Sequence, residues 1–394
     1  MIGKVPNGWK EQKLGNIVNL IIGKTPSRNI SEYFTGENLW TSIRDMNNLI
    51  ITNTKEKITH KAIQDSNIKQ VKKGTLLLSY KLSIGKLSFA GQDLYTNEAI
   101  AGLEIITNSI DNKFLFYVLK ATDLERTTDR AVMGKTLNKA KLKLIPIAYP
   151  PLSQQEKIVK VLDISSALIE KQKELIEKYD LFLKSKFIEM FGNPISNPMG
   201  WEVVKIDTVC EEIVDCINRT APLSKYETEY KMIRTTNVRN HKIVFNETRY
   251  VEKNIYEKWV RRLVPKKYDV VFTREAPVGE AGVIITDEKL FLGQRTMLFR
   301  PNEKLNSYYL LYELMGSNVN AQINKISSGS TVKHLSVPHC KKFNINLPSI
   351  ELQNKFASIV EKIETIKEQE RKKLEHLETL HNSLMDKAFK GEIK

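Results

Sequence analysis

Residues 151–191 read PLSQQEKIVKVLDISSALIEKQKELIEKYDLFLKSKFIEMF, and the parsing of the whole chain follows from this stretch. Ser153 with Glu156 three residues on has the form of a capping box, which satisfies the orphan N–H groups at a helix start. Gly192 and then Pro194 form a stop, since glycine tolerates the left-handed backbone that ends a helix. Between these signals Ile158, Val161, Ser165, Leu168, Gln172, Leu175, Tyr179 and Phe182 alternate by three and four. That spacing predicts a coiled-coil seam, widened one position later by Leu162, Ile169, Ile176 and Leu183.

The pattern returns 198 residues later, from about Ser349 to Lys390. There the seam becomes Phe356, Ile359, Ile363, Ile366, Glu370, Lys373, Leu377 and Leu380, and the flanking column becomes Val360, Lys367, Leu374 and His381. One amphipathic helix could be a solvated stalk. Two in register predict two helices that pack on each other.

The repeat is wider than the helix. Pro6, Gly8 and Trp9 match Pro198, Gly200 and Trp201, and KKGTLLLSY (72–80) matches KKYDVVFTR (266–274). Gly134, Lys135 and Thr136 stand opposite Gly329, Ser330 and Thr331, and Pro150 opposite Pro348. A period near 195 residues is far too long for a solenoid; it describes a module used twice. The expected division is a block over 1–152, a long helix over 153–192, a second block over 193–348 and a second helix over 349–394. Within the blocks, Thr75–Tyr80, Ala99–Ile106, Asp269–Arg274 and Val283–Ile285 read as strands, and Phe114–Lys120 and Ser307–Met315 as helices. The expected fold class is α/β: two similar mixed α/β domains and an antiparallel coiled coil, related by a pseudo-twofold internal repeat.

Composition limits the function. At 394 residues the chain exceeds one ordinary domain, and 41% hydrophobic residues suffice for folded cores. No run of about 18 apolar residues occurs, so neither a membrane span nor a signal peptide is expected. Three cysteines make no disulfide framework, which fits a reducing cytoplasm; Cys210 and Cys216 read as core thiols. The surplus of 61 basic over 46 acidic residues, a net +15, favours a polyanionic partner, because cations release condensed counterions from phosphates.

Catalytic motifs fail on inspection. Gly23, Lys24 and Thr25, like Gly134, Lys135 and Thr136, lack the earlier glycine of a phosphate-binding loop, where Val18 and Asp129 stand instead. Tyr149-Pro150-Pro151 is not the Asn/Asp-Pro-Pro-aromatic element of a base-methylating enzyme. Asp287, Glu288 and Lys289 form a bare surface-like triplet with no evident partner strand and read as a turn, and His334, His339 and Cys340 match no zinc spacing, so no metal is expected. What does recur is basic residues beside amides and hydroxyls. The first block has Lys24, Thr25, Ser27, Arg28, Arg44, Asp45, Tyr80, Lys81, Lys135 and Thr136. The second has Arg219, Arg234, Asn237, Arg239, Arg274, Gln294, Arg295, Lys333 and His334. Arginine to guanine and Asn or Gln to adenine are the usual direct readout contacts. The candidate sets differ between blocks whose scaffolds otherwise match, as two readers of two different short sequences would.

With these residues in place the chain resembles the specificity subunit of type I restriction–modification systems. The resemblance rests on Gly8-Trp9, Pro150 through Ile158 with its Gln154-Gln155 pair, Phe191-Gly192, Gly200-Trp201, Leu347-Pro348 through Phe356, and Ala388 through Glu392, and it covers essentially the whole chain. The second Gln element departs from the first, Ile350 to Gln353 being spaced one residue differently. The resemblance implies two target recognition domains that each read half of a split double-stranded DNA site, and paired helices that set the gap. It implies two modification (methyltransferase) subunits and restriction subunits with an ATP-dependent motor and nuclease. S-adenosylmethionine, ATP and Mg²⁺ would then act on those partners, and this chain would be no enzyme itself. The alternatives are a self-contained nuclease with a degenerate site, a related type II bipartite-site system, and a coiled-coil scaffold without a DNA role. Gln172 and Glu370 share one seam position near the middle of their helices, so they are expected to meet and fix the register, as a lone polar seam residue can.

Overall fold

The computed structural model describes residues 5–124, 137–245, 248–326 and 334–393. The chain divides into two compact units, one of residues 1–172 with 373–394 and the other of residues 173–372. Each unit therefore owns half of each long helix. The helices run over Leu152–Phe191 and Ile350–Phe389, 40 residues each.

In the first unit the strands Val18–Ile22, Ile100–Ile105, Leu76–Ser79, Leu87–Ala90 and Ile50–Ile51 form one sheet in that order, antiparallel except at the last pair. A second sheet orders Glu56–Ile58, Asn38–Thr41 and Tyr95–Thr96, and Lys10–Lys13 pairs with Pro146–Tyr149. The second unit repeats this. Cys210–Asp215, Thr296–Pro301, Val270–Arg274 and Val278–Val283 form its main sheet, and Arg249–Tyr250, Tyr230–Ile233 and Lys289–Leu292 its second. Glu202–Lys205 pairs with Asn344–Leu347. The expected strand at Val283–Ile285 is displaced: that strand ends at Val283, and Ile285 is exposed beyond it. The predicted helices occur as Asn112–Ala121 and Ser307–Met315, N-capped by Asp111 and Asn306.

Burial corrects the seam. The inner column of the first helix is Ile158, Leu162, Ser165, Ile169, Gln172, Ile176, Tyr179 and Leu183, all buried or half-buried. Leu168 and Phe182, expected inside, face out at 46% exposure each. The same steps of the second helix, Phe356, Val360, Ile363, Lys367, Glu370, Leu374, Leu377 and His381, are inside as well, while Lys373 and Leu380 are out. The three-and-four count alone admits two parallel columns, and the contacts of the facing helix choose between them. Inside the first unit, Ile158 and Leu162 share a core with Ala388 and Phe389. Inside the second, Leu183, Phe187 and Phe191 share one with Phe356 and Val360. In each unit the beginning of one helix packs on the end of the other, an antiparallel pairing. Gln172 is half-buried and Glu370 buried, and they fall in different units.

The helix starts explain the Gln element. The first helix begins at Leu152, where Pro151 offers its carbonyl to the N–H groups of Gln154 and Gln155. Ser153 lies inside the first turn, so the capping box read there is not the start. In the second helix Ser349 precedes Ile350 and accepts the Leu352 N–H on its hydroxyl. Gln155 is fully buried: its amide donates to the carbonyls of Ser109 and Pro150, and its oxygen accepts the Asp111 N–H. Gln353 does the same with Lys304, Pro348 and Asn306. Gln353 is thus the counterpart of Gln155 at the common offset, and the one-residue difference in spacing disappears. Each glutamine ties the short helix's cap to the long helix's first turn, pairing three backbone groups of which the proline carbonyl is buried and the others part-buried. Both long helices end in glycine with positive φ, Gly192 at +80° and Gly391 at +77°.

Candidate nucleic-acid interface

The candidate residues separate into those that hold the fold and those that face solvent. Asp45 belongs to the first group. Its carboxylate accepts the Ser42 N–H and hydroxyl at 2.8 Å each and the Lys55 N–H at 2.9 Å, closing a short helical turn. Asn237, its counterpart, is buried; it accepts the Arg234 N–H and donates to the Val244 carbonyl. Both head groups serve backbone and are not available to a base edge as placed.

Arg28 is also engaged. Glu56 takes its guanidinium in a two-pronged pair, and the group lies 4.2 Å from the Phe34 ring and 5.1 Å from that of Trp40. The pair with Glu56 raises the arginine's pKa and holds the glutamate below the usual carboxylate range. Arg274 is buried and donates to the Leu335 carbonyl. Tyr80 is buried with its hydroxyl on the Glu98 carbonyl, and burial raises its pKa; Lys81 lies 5.5 Å from that ring. Arg234 is half-buried.

Lys24, Thr25, Ser27, Arg44, Arg219, Arg239, Gln294, Arg295 and His334 are exposed. Lys24 reaches the Ser66 carbonyl at 3.2 Å, and the Trp40 indole donates to the Lys24 carbonyl. Arg295 sits at φ +68° and donates through Nε to Glu275 at 2.9 Å; His334 takes the other oxygen of the same carboxylate. Lys135, Thr136 and Lys333 lie outside the described residues.

Two acidic residues belong beside these cations, Glu275 next to Arg274 and Glu98, which lies outside the candidate set. Glu275 organises Arg295 and His334, and Glu98 accepts the Thr25 hydroxyl. The sequence by itself does not single out Glu98: YTNEAI (95–100) and FLGQRT (291–296) share little, and Glu98 stands opposite Gln294 because the backbone hydrogen bonds on either side match. Of the cysteines, Cys216 and Cys340 are buried and Cys210 is half-buried; burial raises the thiol pKa of Cys210 and Cys340 to about 12. Among the described residues no His, Cys, Asp and Glu cluster of metal-binding form occurs, and no helix is long and apolar enough to cross a membrane.

The arrangement is two copies of one scaffold, with side chains on exposed loops that differ between copies. The family model of the type I restriction modification DNA specificity domain matches twice, over residues 6–178 and 198–379. This chain belongs to that family. Among relatives, the type I restriction enzyme MjaIX specificity subunit of Methanocaldococcus jannaschii is 25% identical, with 100% of this chain and 95% of the relative covered. The EcoKI specificity subunit of Escherichia coli is 22% identical over 99% of this chain and 90% of its own. Two solved structures share the fold. The type I restriction–modification S subunit from M. genitalium superimposes with TM-score 0.55 at 15% identity, covering 98% of both chains. A chain from work on complex assembly and conformational transition of the type I R-M system gives 0.57 at 18%, covering 99% of both. The doubled specificity domain is thus the organising fact of the molecule.

Proposed function

We propose that this chain is the non-catalytic DNA-reading subunit of a type I restriction–modification complex, and that each block reads one half of a split site in double-stranded DNA. The observation that carries this is the doubled specificity domain, with buried anchors such as Gln155 and Gln353 repeated and exposed loop residues unlike. The net charge of +15 supplies the phosphate attraction, and a few loop side chains supply the choice of bases. The two long helices set the number of base pairs between the halves and dock two modification subunits. S-adenosylmethionine, ATP and Mg²⁺ then act on those subunits and on the restriction subunits, with no chemistry assigned to this chain.

The test is the methylation pattern of a host carrying this chain and its modification subunits. Exchanging residues 193–348 for the corresponding block of another specificity subunit should change one half of the modified site and leave the other. Adding one heptad to each helix lengthens it by about 10 Å and should widen the gap by about 3 base pairs. A purified chain that cleaves or methylates DNA unaided in Mg²⁺ and S-adenosylmethionine would overturn the proposal.

A further inference from the structure

Four backbone hydrogen bonds recur at matched places in the two units and define one shared address. Tyr80 N–H donates to Ala99 at 2.9 Å and Arg274 N–H to Arg295 at 2.8 Å; Gly23 donates to Ile100 at 3.3 Å and Cys216 to Thr296 at 3.2 Å. Asn97 donates to Thr41 at 3.0 Å and Gly293 to Ile233 at 2.8 Å; Leu137 donates to Tyr80 at 3.2 Å and Leu335 to Arg274 at 3.1 Å. At that address stand Glu98 and Gln294, each exposed, each just before a central strand of its sheet. Each accepts a hydroxyl from the loop after the first strand, Thr25 on Glu98 Oε2 and Thr220 on Gln294 Oε1 at 3.3 Å. Each threonine follows an exposed cation, Lys24 or Arg219.

The chemistry of the two head groups is the difference. A carboxylate is acceptor-only; a carboxamide presents an acceptor and two donors side by side. Beside cations suited to phosphate, a carboxylate would repel the backbone, so its presence makes sense against a donor. In the major groove the donors are the exocyclic amino groups, and the adjoining donor–acceptor pair of adenine is what a carboxamide matches. With the scaffold equal, this one position differs by the property that base edges differ in.

We propose that Glu98 and Gln294 are equivalent base-reading residues, Glu98 accepting from a cytosine amino group and Gln294 bridging an adenine, with Thr25 and Thr220 as positioning residues that orient them. This rests on the reading of the chain as a split-site DNA reader. The experiment keeps the two apart: the full-length chain selects from a pool of random-sequence duplex DNA at fixed salt, and the bound fraction is sequenced.

Wild type should enrich a two-part motif. Glu98→Gln should change the preferred base pair at one position of one part, and Gln294→Glu at one position of the other. Discrimination for the original base should fall by about 10- to 100-fold at the changed position. Glu98→Ala and Gln294→Ala, which only shorten an exposed side chain, should abolish preference at the same two positions while the melting temperature holds. A two-part wild-type motif that all four variants retain overturns the inference, as does a change of the same part by both positions. A wild-type chain that enriches no two-part motif overturns the split-site reading and the inference with it.

Discussion

Ser165 and Ile363 occupy the same step of the repeated helix, and so do Leu183 and His381, yet the two units use these steps differently. In the first unit Ser165 and His381 share a buried hydrogen bond of 2.8 Å. In the second, Leu183 and Ile363 fill the equivalent places with carbon. The reverse holds elsewhere: Ile169 is buried in the first unit where the second has Lys367, which is 2% exposed and pairs with Asp180 and Glu364. A repeated helix is degenerate, since either half could pack on either partner half by shape alone. Polar residues placed on one side of the pseudo-symmetry remove the degeneracy, because a mispaired half buries an unpartnered imidazole or ammonium, at a cost of several kcal/mol. Sequence divergence in the seam therefore specifies pairing, just as divergence in the loops is proposed to specify bases.

The largest effect comes from breaking an apolar step in one unit only. Phe187 packs against Phe191, Tyr309, Tyr312 and Phe356, whereas its counterpart Met385 is half-buried. Phe187→Ala should cost about 3–5 kcal/mol and Met385→Ala about 1–2 kcal/mol. Amide hydrogen exchange, followed separately in each unit, would show the protection lost in the mutated unit first.

Next come the glutamines, where the units agree. Gln155→Ala and Gln353→Ala each orphan an equivalent set of one buried and two part-buried backbone groups, and each should cost about 2–3 kcal/mol. Urea unfolding that finds one several times costlier than the other would show that the two anchors are not energetically equivalent.

A smaller contrast concerns Glu313, buried in the helix Ser307–Met315 at the step where the first unit has Val118. Burial pushes its carboxyl up to about 7, above its unfolded value of 4.5. The folded state thus holds the proton more tightly, and the stability this gives is lost as pH rises through 7. Glu313→Gln should stabilise the second unit by about 1–2 kcal/mol at pH 8 and by almost nothing at pH 4, as read from melting temperatures at the two values.

The smallest effect sharpens the seam comparison itself. Burial, with Lys120 adding to it, lowers the His381 pKa below 6.5, so the unfolded chain takes up the proton first and the first unit weakens as pH falls below that value. Ser165→Ile with His381→Leu copies the second unit's solution and should flatten this acid loss in the first unit. The second unit keeps its own, since burial lowers His241 to about 4. Exchange measured from pH 7 to pH 5 would separate the two, and an unchanged acid loss in the first unit would exclude His381 as its source.

The duplication, the two long helices, the glycine end of the first, the short helices beside them and the strands matched between the blocks were legible in the order of residues, because periodicity and repetition are local properties of the chain; the order of those strands in their sheets was not. The basic surplus was equally plain and pointed to a polyanion. Three things were decided only by tertiary structure. The inner column of each helix was chosen by the facing helix, since spacing of three and four fits two columns equally. Asp45, Asn237, Arg28 and Arg274 proved to be spoken for, because a side chain's availability depends on neighbours distant in sequence, such as Glu56 for Arg28 and Leu335 for Arg274. Glu98 and Gln294 came to one address only when backbone hydrogen bonds from separate segments fixed it. Sequence carries the repeat because translation along the chain preserves it; which groups remain free is set by contacts that only folding makes.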